Sequence, residues 1–310
     1  MKVFVAGAGG VIGRPLVRQL VAAGHEVTGT TRSDSKARQI ETSGATPVVC
    51  DAFDPQGVTE AVAKAAPDVI INQLTNLPTT GDRRDPDYYT ATNRLRREGG
   101  QILIKAAQAA AVKRLVTQSI AFTYLPRGSW VKNETDATVG AFDGSISDAF
   151  QSALTHEQNL QDAEGIDGLI LRYGFFYGPG TYYAADGPTA SEVRRRRFPL
   201  VGPATGTFSF VHVDDAAEAA VAAVTQGSPG IYNIVDDEPA ALKEWLPVYA
   251  EALGAKPPRR VPAWLARLVA GKSLTESAIN MRGASNAKAK AELGWRPSHS
   301  SWRQGFSDSL

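Results

Sequence analysis

The strongest constraint on this chain lies at its start, where an apolar run over residues 2–6 breaks into Gly7-Ala-Gly-Gly10-Val-Ile-Gly13. Apolar residues Ile12, Leu16, Val17, Leu20 and Val21 then recur at helical spacing until Gly24, so a strand must turn on glycines and enter a helix at once. Gly7 permits the sharp turn, Gly10 lets backbone amides approach a pyrophosphate, and Gly13 lets the helix pack close to the sheet. Gly9, Val11 and Ile12 complete the expected cradle, which faces the positive end of the helix. The strand-before, helix-after setting predicts a dinucleotide-binding turn; a glycine turn with only a structural role is the alternative.

The alternation continues, with strands expected over 26–30, 47–51, 69–74, 114–119 and 169–173 and helices near 58–66, 93–111 and 147–164. Strands apolar on both faces that alternate with helices predict an α/β, Rossmann-type doubly wound parallel sheet between helix layers. After Gly178, Pro and Gly become frequent and Arg194 to Arg197 form a basic stretch, read as a solvated face or a diphosphate contact. A strand and helix return over 208–224, and a strand over 230–235 precedes a mainly helical tail carrying Trp245, Trp264 and Trp295. The expected division is a dinucleotide-binding domain over 1–176, rejoined by 208–238, and a smaller, mainly helical substrate lobe from 177–207 and 239–310.

With 33 Lys+Arg against 32 Asp+Glu, the formal net charge of +1 supplies no global field for nucleic acid or an anionic membrane. No run approaches the ~20 apolar residues that span a bilayer, and the first ten residues lack a signal-peptide pattern, so the cytoplasm is the expected location. Cys50, the single cysteine, cannot form an intrachain disulfide and reads as a buried strand thiol. His212 has neither metal-ligand nor triad spacing, so no metal is expected, and Asp214 reads as the cap of the following helix.

The second strand ends Gly29-Thr30-Thr31-Arg32-Ser33, with no carboxylate before Asp34. A carboxylate there would hold the ribose hydroxyl of NAD(H) and repel the 2′-phosphate of NADP(H), which Arg32 can pair with in bidentate fashion. The expected cofactor is therefore NADP(H). Asp51, ending the third strand, and Ala52 beside it are placed near the adenine, although Asp51 reads equally as a helix cap. Leu74 and Thr75, ending the fourth strand, are placed beside the adenosine or ribose.

Read together, these segments resemble the extended and atypical branch of the short-chain dehydrogenase/reductase superfamily, which includes epimerase/dehydratase-like proteins. Beyond the glycine turn, the resemblance rests on Leu171-Arg172 through Tyr177-Gly178-Pro179-Gly180, Phe210-Val-His-Val-Asp-Asp215 and Tyr232-Asn-Ile-Val-Asp236. Near the end, Asn286-Ala-Lys288 with Leu293-Gly-Trp295-Arg-Pro297 is similar to the family's closing motif. It implies that Gln118 and Tyr173, near the ends of their strands, flank the cofactor, and that a dimer forms through the helices near 93–111 and 147–164. That dimer would require an exposed apolar stripe on those helices.

The resemblance breaks at the proton-transfer pair. Active members carry a Tyr and, four residues later, a Lys on one helix; the Lys lowers the Tyr pKa and the Tyr moves the proton. Anchored on Ser152 and Glu157, these positions fall on Ala149 and Ala153, and a shift of one puts Phe150 at the Tyr position. Ser119 matches the family's substrate-orienting Ser/Thr or satisfies local backbone. His156 shares a helical face with both alanines and is a substitute proton carrier or a core histidine. Tyr177 and Tyr88 are further phenolic donors. Tyr88, Phe175 and Tyr182 are expected around a partly apolar small-molecule substrate. The leading reading is an NADP(H)-dependent oxidoreductase of a small carbonyl or alcohol; a non-catalytic NADP(H) sensor or scaffold and a nucleotide-sugar epimerase or dehydratase are the alternatives.

Overall fold

A computed structural model describes residues 1–78, 87–139 and 145–309. Seven parallel strands form the central sheet: β1 (Lys2–Ala6), β2 (Glu26–Thr31), β3 (Thr46–Val49), β4 (Val69–Asn72), β5 (Arg114–Ile120), β6 (Asp167–Tyr173) and β7 (Gly230–Ile234). Their spatial order is β7-β6-β5-β4-β1-β2-β3, so the direction of winding reverses between β1 and β4, where doubly wound sheets bind ligands. In register, Val3 of β1 faces Val27 of β2 on one side and Val69 of β4 on the other.

Both faces of β1 are apolar because both are covered. Val3 and Val5 pack with Leu16, Val17 and Leu20 of α1 (Gly13–Ala22). Phe4 and Ala6 pack beneath α3 (Pro55–Ala65) and α4 (Gly100–Ala109) through Val58, Val62, Leu103 and Ile104. Between these two helices and α1 in the chain lies α2 (Asp34–Thr42), and later come α5 (Ser145–Gln161) and α6 (Val213–Ala222). A third cluster, around Tyr177, Tyr183, Phe210, Trp245, Tyr249 and Phe306, forms the core of the smaller lobe.

Two expectations are corrected. The helix expected over 93–111 is an α-turn (Thr90–Arg94), a π-helical segment (Leu95–Gly99) and then α4. The His156 ring lies close enough that a Cβ at Gly100 would sit 2.4 Å from it, so the helix must bring a bare backbone there, and the widened π-turn precedes that approach. The strand expected near 208 does not join the main sheet; only β7 does. Phe210–His212 pairs instead with Phe175–Tyr177. The chain switches partners at Gly174: its amide donates to Ile234, the Phe175 amide donates to Ser209, and a Cβ at Gly174 would lie 2.4 Å from the Ser209 carbonyl oxygen.

Among the described residues, neither α4 nor α5 exposes a large hydrophobic side chain, so the stripe required for the expected dimer is not found there. No helix among the described residues is long and apolar enough to cross a membrane.

Candidate functional site

A cleft opens over the C-terminal ends of β1, β2 and β4, lined by Gly7, Gly9, Gly10, Thr30, Gln73 and Leu74. Gly7 has φ +87°, and a Cβ there would lie 2.7 Å from the Gln73 carbonyl oxygen. At Gly13 the added atom would lie 2.2 Å from the Gly7 oxygen, so neither position admits another residue without moving the strand ends. The Gly10 amide closes the turn on Gly7 at 3.0 Å. Among the described residues, the amides of Gly9, Val11 and Ile12 have no acceptor. Val11 is exposed at the turn's tip, whereas Ile12 is buried at the start of α1. Free amides at the positive end of a helix are what a pyrophosphate requires. The residues present therefore fit a dinucleotide.

At the adenosine end, Thr31, Arg32, Ser33 and Lys36 line the same cleft. Arg32 and Lys36 are both exposed, with no hydrogen-bond or ion-pair partner among the described residues. The stem of Lys36 crosses Gly9, whose added Cβ would come within 2.9 Å of its Cδ. Sequence reasoning found Arg32 and missed Lys36, although the signal was present: four residues after Arg32, it falls in the first turn of α2. Ala52 and Thr75 also line the cleft, and so does Cys50, which is half-buried rather than buried as expected. Burial, helped by Asp54 and Asp51, pushes its thiol pKa up. Asp51, exposed between the cleft-lining Cys50 and Ala52, accepts through its carboxylate from the Phe53 amide at 3.0 Å, while Asp54 caps α3. Gln118 donates to the Leu74 carbonyl at 2.8 Å and thereby fixes the end of β4. Tyr173 is buried, its hydroxyl accepts from Gln73 at 3.2 Å, and burial pushes its pKa up. Gln73 was also missed: its buried Oε1 has no partner among the described residues, and the residue lines the cleft.

Ala149 and Ala153, the positions expected from the resemblance to correspond to the proton-transfer pair, are buried on α5. Arg96, carried by the π-helical segment, donates to the Ala149 carbonyl at 3.0 Å. Below them Ser119 donates to Glu157 at 2.5 Å, and Glu157 is held by Arg172 through bonds of 2.5 and 2.9 Å. Arg172 also donates to the Tyr124 hydroxyl at 3.1 Å, and that hydroxyl donates to Asn233 at 2.7 Å. The Ser119 hydroxyl is therefore committed to a buried carboxylate.

Two further candidate proton carriers, His156 and Tyr177, are sealed in the interior. His156 is 3% exposed, its Nε2 lies 2.7 Å from Thr117 Oγ1 and 3.3 Å from Asn72 Nδ2, and its Nδ1 has no partner. Burial, with the Arg96 guanidinium adding to it, pushes its pKa down to about 4. Tyr177 is fully buried between Phe210 and Phe306 with its hydroxyl unpaired. Burial and the nearby Asp236 push its pKa up. His156 sits as the core histidine of its alternative reading, and Tyr177 packs as a core tyrosine.

Tyr88 and Tyr182 both donate to the Pro78 carbonyl, Tyr88 at 3.2 Å, and so brace one another across the chain. Phe175 stacks on Phe122 with ring centres 4.4 Å apart at 10°, Phe150 meets Phe122 at 6.1 Å, and Phe208 lies 5.0 Å from Phe175. All but Phe208 are half-buried, and Tyr183 packs edge-on against Phe175 at 6.2 Å. His212, Asp215 and His299 come together, with both Asp215 oxygens and the Nδ1 atoms of the two histidines engaged. His212 Nδ1 accepts from the Asp214 amide, so His212 rather than Asp214 caps α6, and Asp215 accepts from Ser298 and His299.

The sequence profile of the NAD dependent epimerase/dehydratase family matches residues 3–235. Over 308 residues, 99% of both chains, the sequence is 46% identical to the 3-diazoavenalumate denitrifying reductase of a Streptomyces species. It is 26% identical over 281 residues, covering 86% of this chain and 70% of the other, to the 2-alkyl-3-oxoalkanoate reductase of Shewanella oneidensis. Among solved structures, the UDP-glucose 4-epimerase of Thermus thermophilus in complex with NAD superposes with a TM-score of 0.75 at 25% identity, covering 100% of this chain and 97% of that one. The glycine cradle, the sheet order and these relatives agree: this chain is a nicotinamide-dinucleotide-dependent oxidoreductase, and it belongs to the NAD dependent epimerase/dehydratase family.

Proposed function

We propose that this protein is an NADPH-dependent reductase whose substrate accepts a hydride without needing a proton from the protein, and that the substrate is an aromatic diazo compound. The observation that carries this reading is the pair Ala149 and Ala153, buried where the resemblance puts the proton-transfer pair, in a chain whose glycine cradle is intact. A ketone reduced by hydride becomes an alkoxide and must be handed a proton, which neither alanine can give. Bound NADPH supplies a hydride, and with an aryl diazonium the balance is Ar–N₂⁺ + H⁻ → Ar–H + N₂: a C–N bond breaks, a C–H bond forms, and no proton is consumed.

The chain's own residues supply binding and orientation. Gly9, Val11 and Ile12 offer amides to the pyrophosphate, and Arg32 with Lys36 meets the 2′-phosphate. Half-buried Phe122 and Phe175, stacked on one another, and Phe150, edge-on to Phe122, are the apolar ring surface assigned to an aryl substrate. Ser119, His156 and Tyr177 serve as structural members of the fold, held by the contacts described above. The name of the relative that is 46% identical supports the substrate class.

The test is to mix purified protein and NADPH with an aromatic diazo acid and follow NADPH loss and nitrogen release. The expected result is one N₂ per NADPH, with deuterium from 4-deuterated NADPH appearing on the aromatic ring. Turnover of 3-oxo acids or simple ketones but no diazo compound overturns the proposal. NADPH binding without turnover of either substrate class would favour the sensor reading.

A further inference from the structure

Four of the large apolar side chains left in water crowd onto one short helix, Ala263–Ala270. Trp264 is 65% exposed, Leu265 38%, Leu268 76% and Val269 65%. At ~100° per residue these four span an arc of roughly 140°, while Ala266, on the opposite side, is buried. The helix is firmly seated. Strand Arg260–Val261, just before it, pairs with Leu200–Val201, and a Cβ at Gly202 would lie 3.3 Å from that of Ala263. Ala278 and Met281, shortly beyond it, pack into the core of the smaller lobe beside Phe208. The outward apolar face is thus a fixed feature of the fold.

Its surroundings are cationic. Between residues 251 and 282 the acids are Glu251 and Glu276, against Lys256, Arg259, Arg260, Arg267, Lys272 and Arg282. Glu276 is taken by Arg267 at 2.6 Å. Lys256, Arg259, Arg260 and Lys272 are exposed with no carboxylate partner among the described residues. In a chain of net charge +1, this is a strong local excess.

We propose that Ala263–Ala270 is an interfacial helix that docks the smaller lobe onto an anionic lipid surface. Trp264, Leu268 and Val269 enter the boundary between headgroups and acyl chains, while Lys256, Arg259, Arg260 and Lys272 meet the headgroups. A Trp at one end of an apolar face flanked by cations suits the wet edge of a bilayer. A second copy of the chain is a poorer occupant, because a two-fold contact centred on this helix brings like cations toward one another.

The experiment is flotation of the full chain with vesicles of phosphatidylcholine alone or with one third phosphatidylglycerol. The protein is expected to float only with the anionic vesicles, and less so at high salt. Arg259→Glu/Arg260→Glu should weaken partitioning at least ~20-fold, since each cation near such a surface contributes about five-fold. Leu268→Ser/Val269→Ser should abolish flotation while leaving NADPH binding and thermal stability unchanged. A blue shift of tryptophan emission on vesicles should be present in the native chain and missing in Trp264→Phe. No flotation at low salt, flotation that survives both double variants, or self-association that Leu268→Ser/Val269→Ser removes would each overturn the proposal.

Discussion

Replacing Arg32 and Lys36 with alanine, singly and together, is the most direct probe of the cofactor site. Both cations line the cleft, both are exposed, and neither is tied to a carboxylate, so each is free to meet a phosphate. Hydrogen bonds to charged groups contribute ~1.5–3 kcal/mol each, and solvent at these exposed positions argues for the low end. Since ~1.4 kcal/mol is tenfold in affinity, each single variant should weaken NADPH binding about ten-fold. The double variant should lose somewhat less than the ~100-fold product, because both groups share one ligand and their effects couple. NADH, which lacks the 2′-phosphate, should bind all four proteins alike. Two conditions sharpen the result. Raising salt to about 1 M shortens the screening length to ~3 Å and should compress the native preference. Lowering pH through about 6 protonates the phosphate monoester and should do the same. Calorimetric titration of both dinucleotides into the four proteins measures all of this. An unchanged NADPH-to-NADH ratio in Arg32→Ala/Lys36→Ala would refute the assignment and leave NAD(H) as the cofactor.

Gly13→Ala places a Cβ 2.2 Å from the Gly7 oxygen and should abolish NADPH binding and lower the melting temperature; near-native affinity by fluorescence titration would contradict the cradle geometry. His156 has its pKa pushed from 6.5 to about 4 by burial, so on acidification the unfolded chain takes up the proton first. The stability tied to keeping it neutral is therefore full above pH 6.5 and lost between 6.5 and 4, on the order of 3 kcal/mol in all. Urea unfolding across that window should show a shallower slope in His156→Gln, and an identical slope rejects the assignment. Glu157→Gln strands the Arg172 guanidinium, 4% exposed, without a counter-charge and should cost ~3–5 kcal/mol in denaturant unfolding; a loss under ~1 kcal/mol would place that charge in water.

How much was legible in the sequence depended on whether the relevant physics was local. The cradle was readable because turn, strand and helix are contiguous and each glycine meets a neighbour a few residues away or on the adjacent strand. Arg32 was readable from the missing carboxylate beside it. Lys36 left only its spacing from Arg32 as a trace, because its place in the cleft depends on how α2 lies against Gly9. Side-chain type alone misdirected the search for a proton donor: His156 and Tyr177 have suitable groups, yet burial, which only the packed fold reveals, removes them from the cleft. The π-helical turn before Gly100 was equally unreadable, since it accompanies the approach of a histidine 56 positions later. Cys50 follows an apolar run and so read as core, but β3 is the last strand of the sheet, and its end opens onto the cleft wall. The overall net charge concealed the cationic stretch around Ala263–Ala270 because acids elsewhere in the chain balance it.

The polar lattice beneath Ala149 bears on what this scaffold can be made to do. Ser119, Glu157, Arg172, Tyr124 and Asn233 cross-link α5 to three neighbouring strands, and not one of those bonds passes through the side chain of Ala149 or Ala153. Arg96 and Ser152 grip residue 149 by its carbonyl, a group every amino acid carries. The floor of the reaction chamber is thus mechanically independent of the chemistry mounted on it, so a phenol and an amine could be grafted onto those two rungs to ask whether ketone reduction returns.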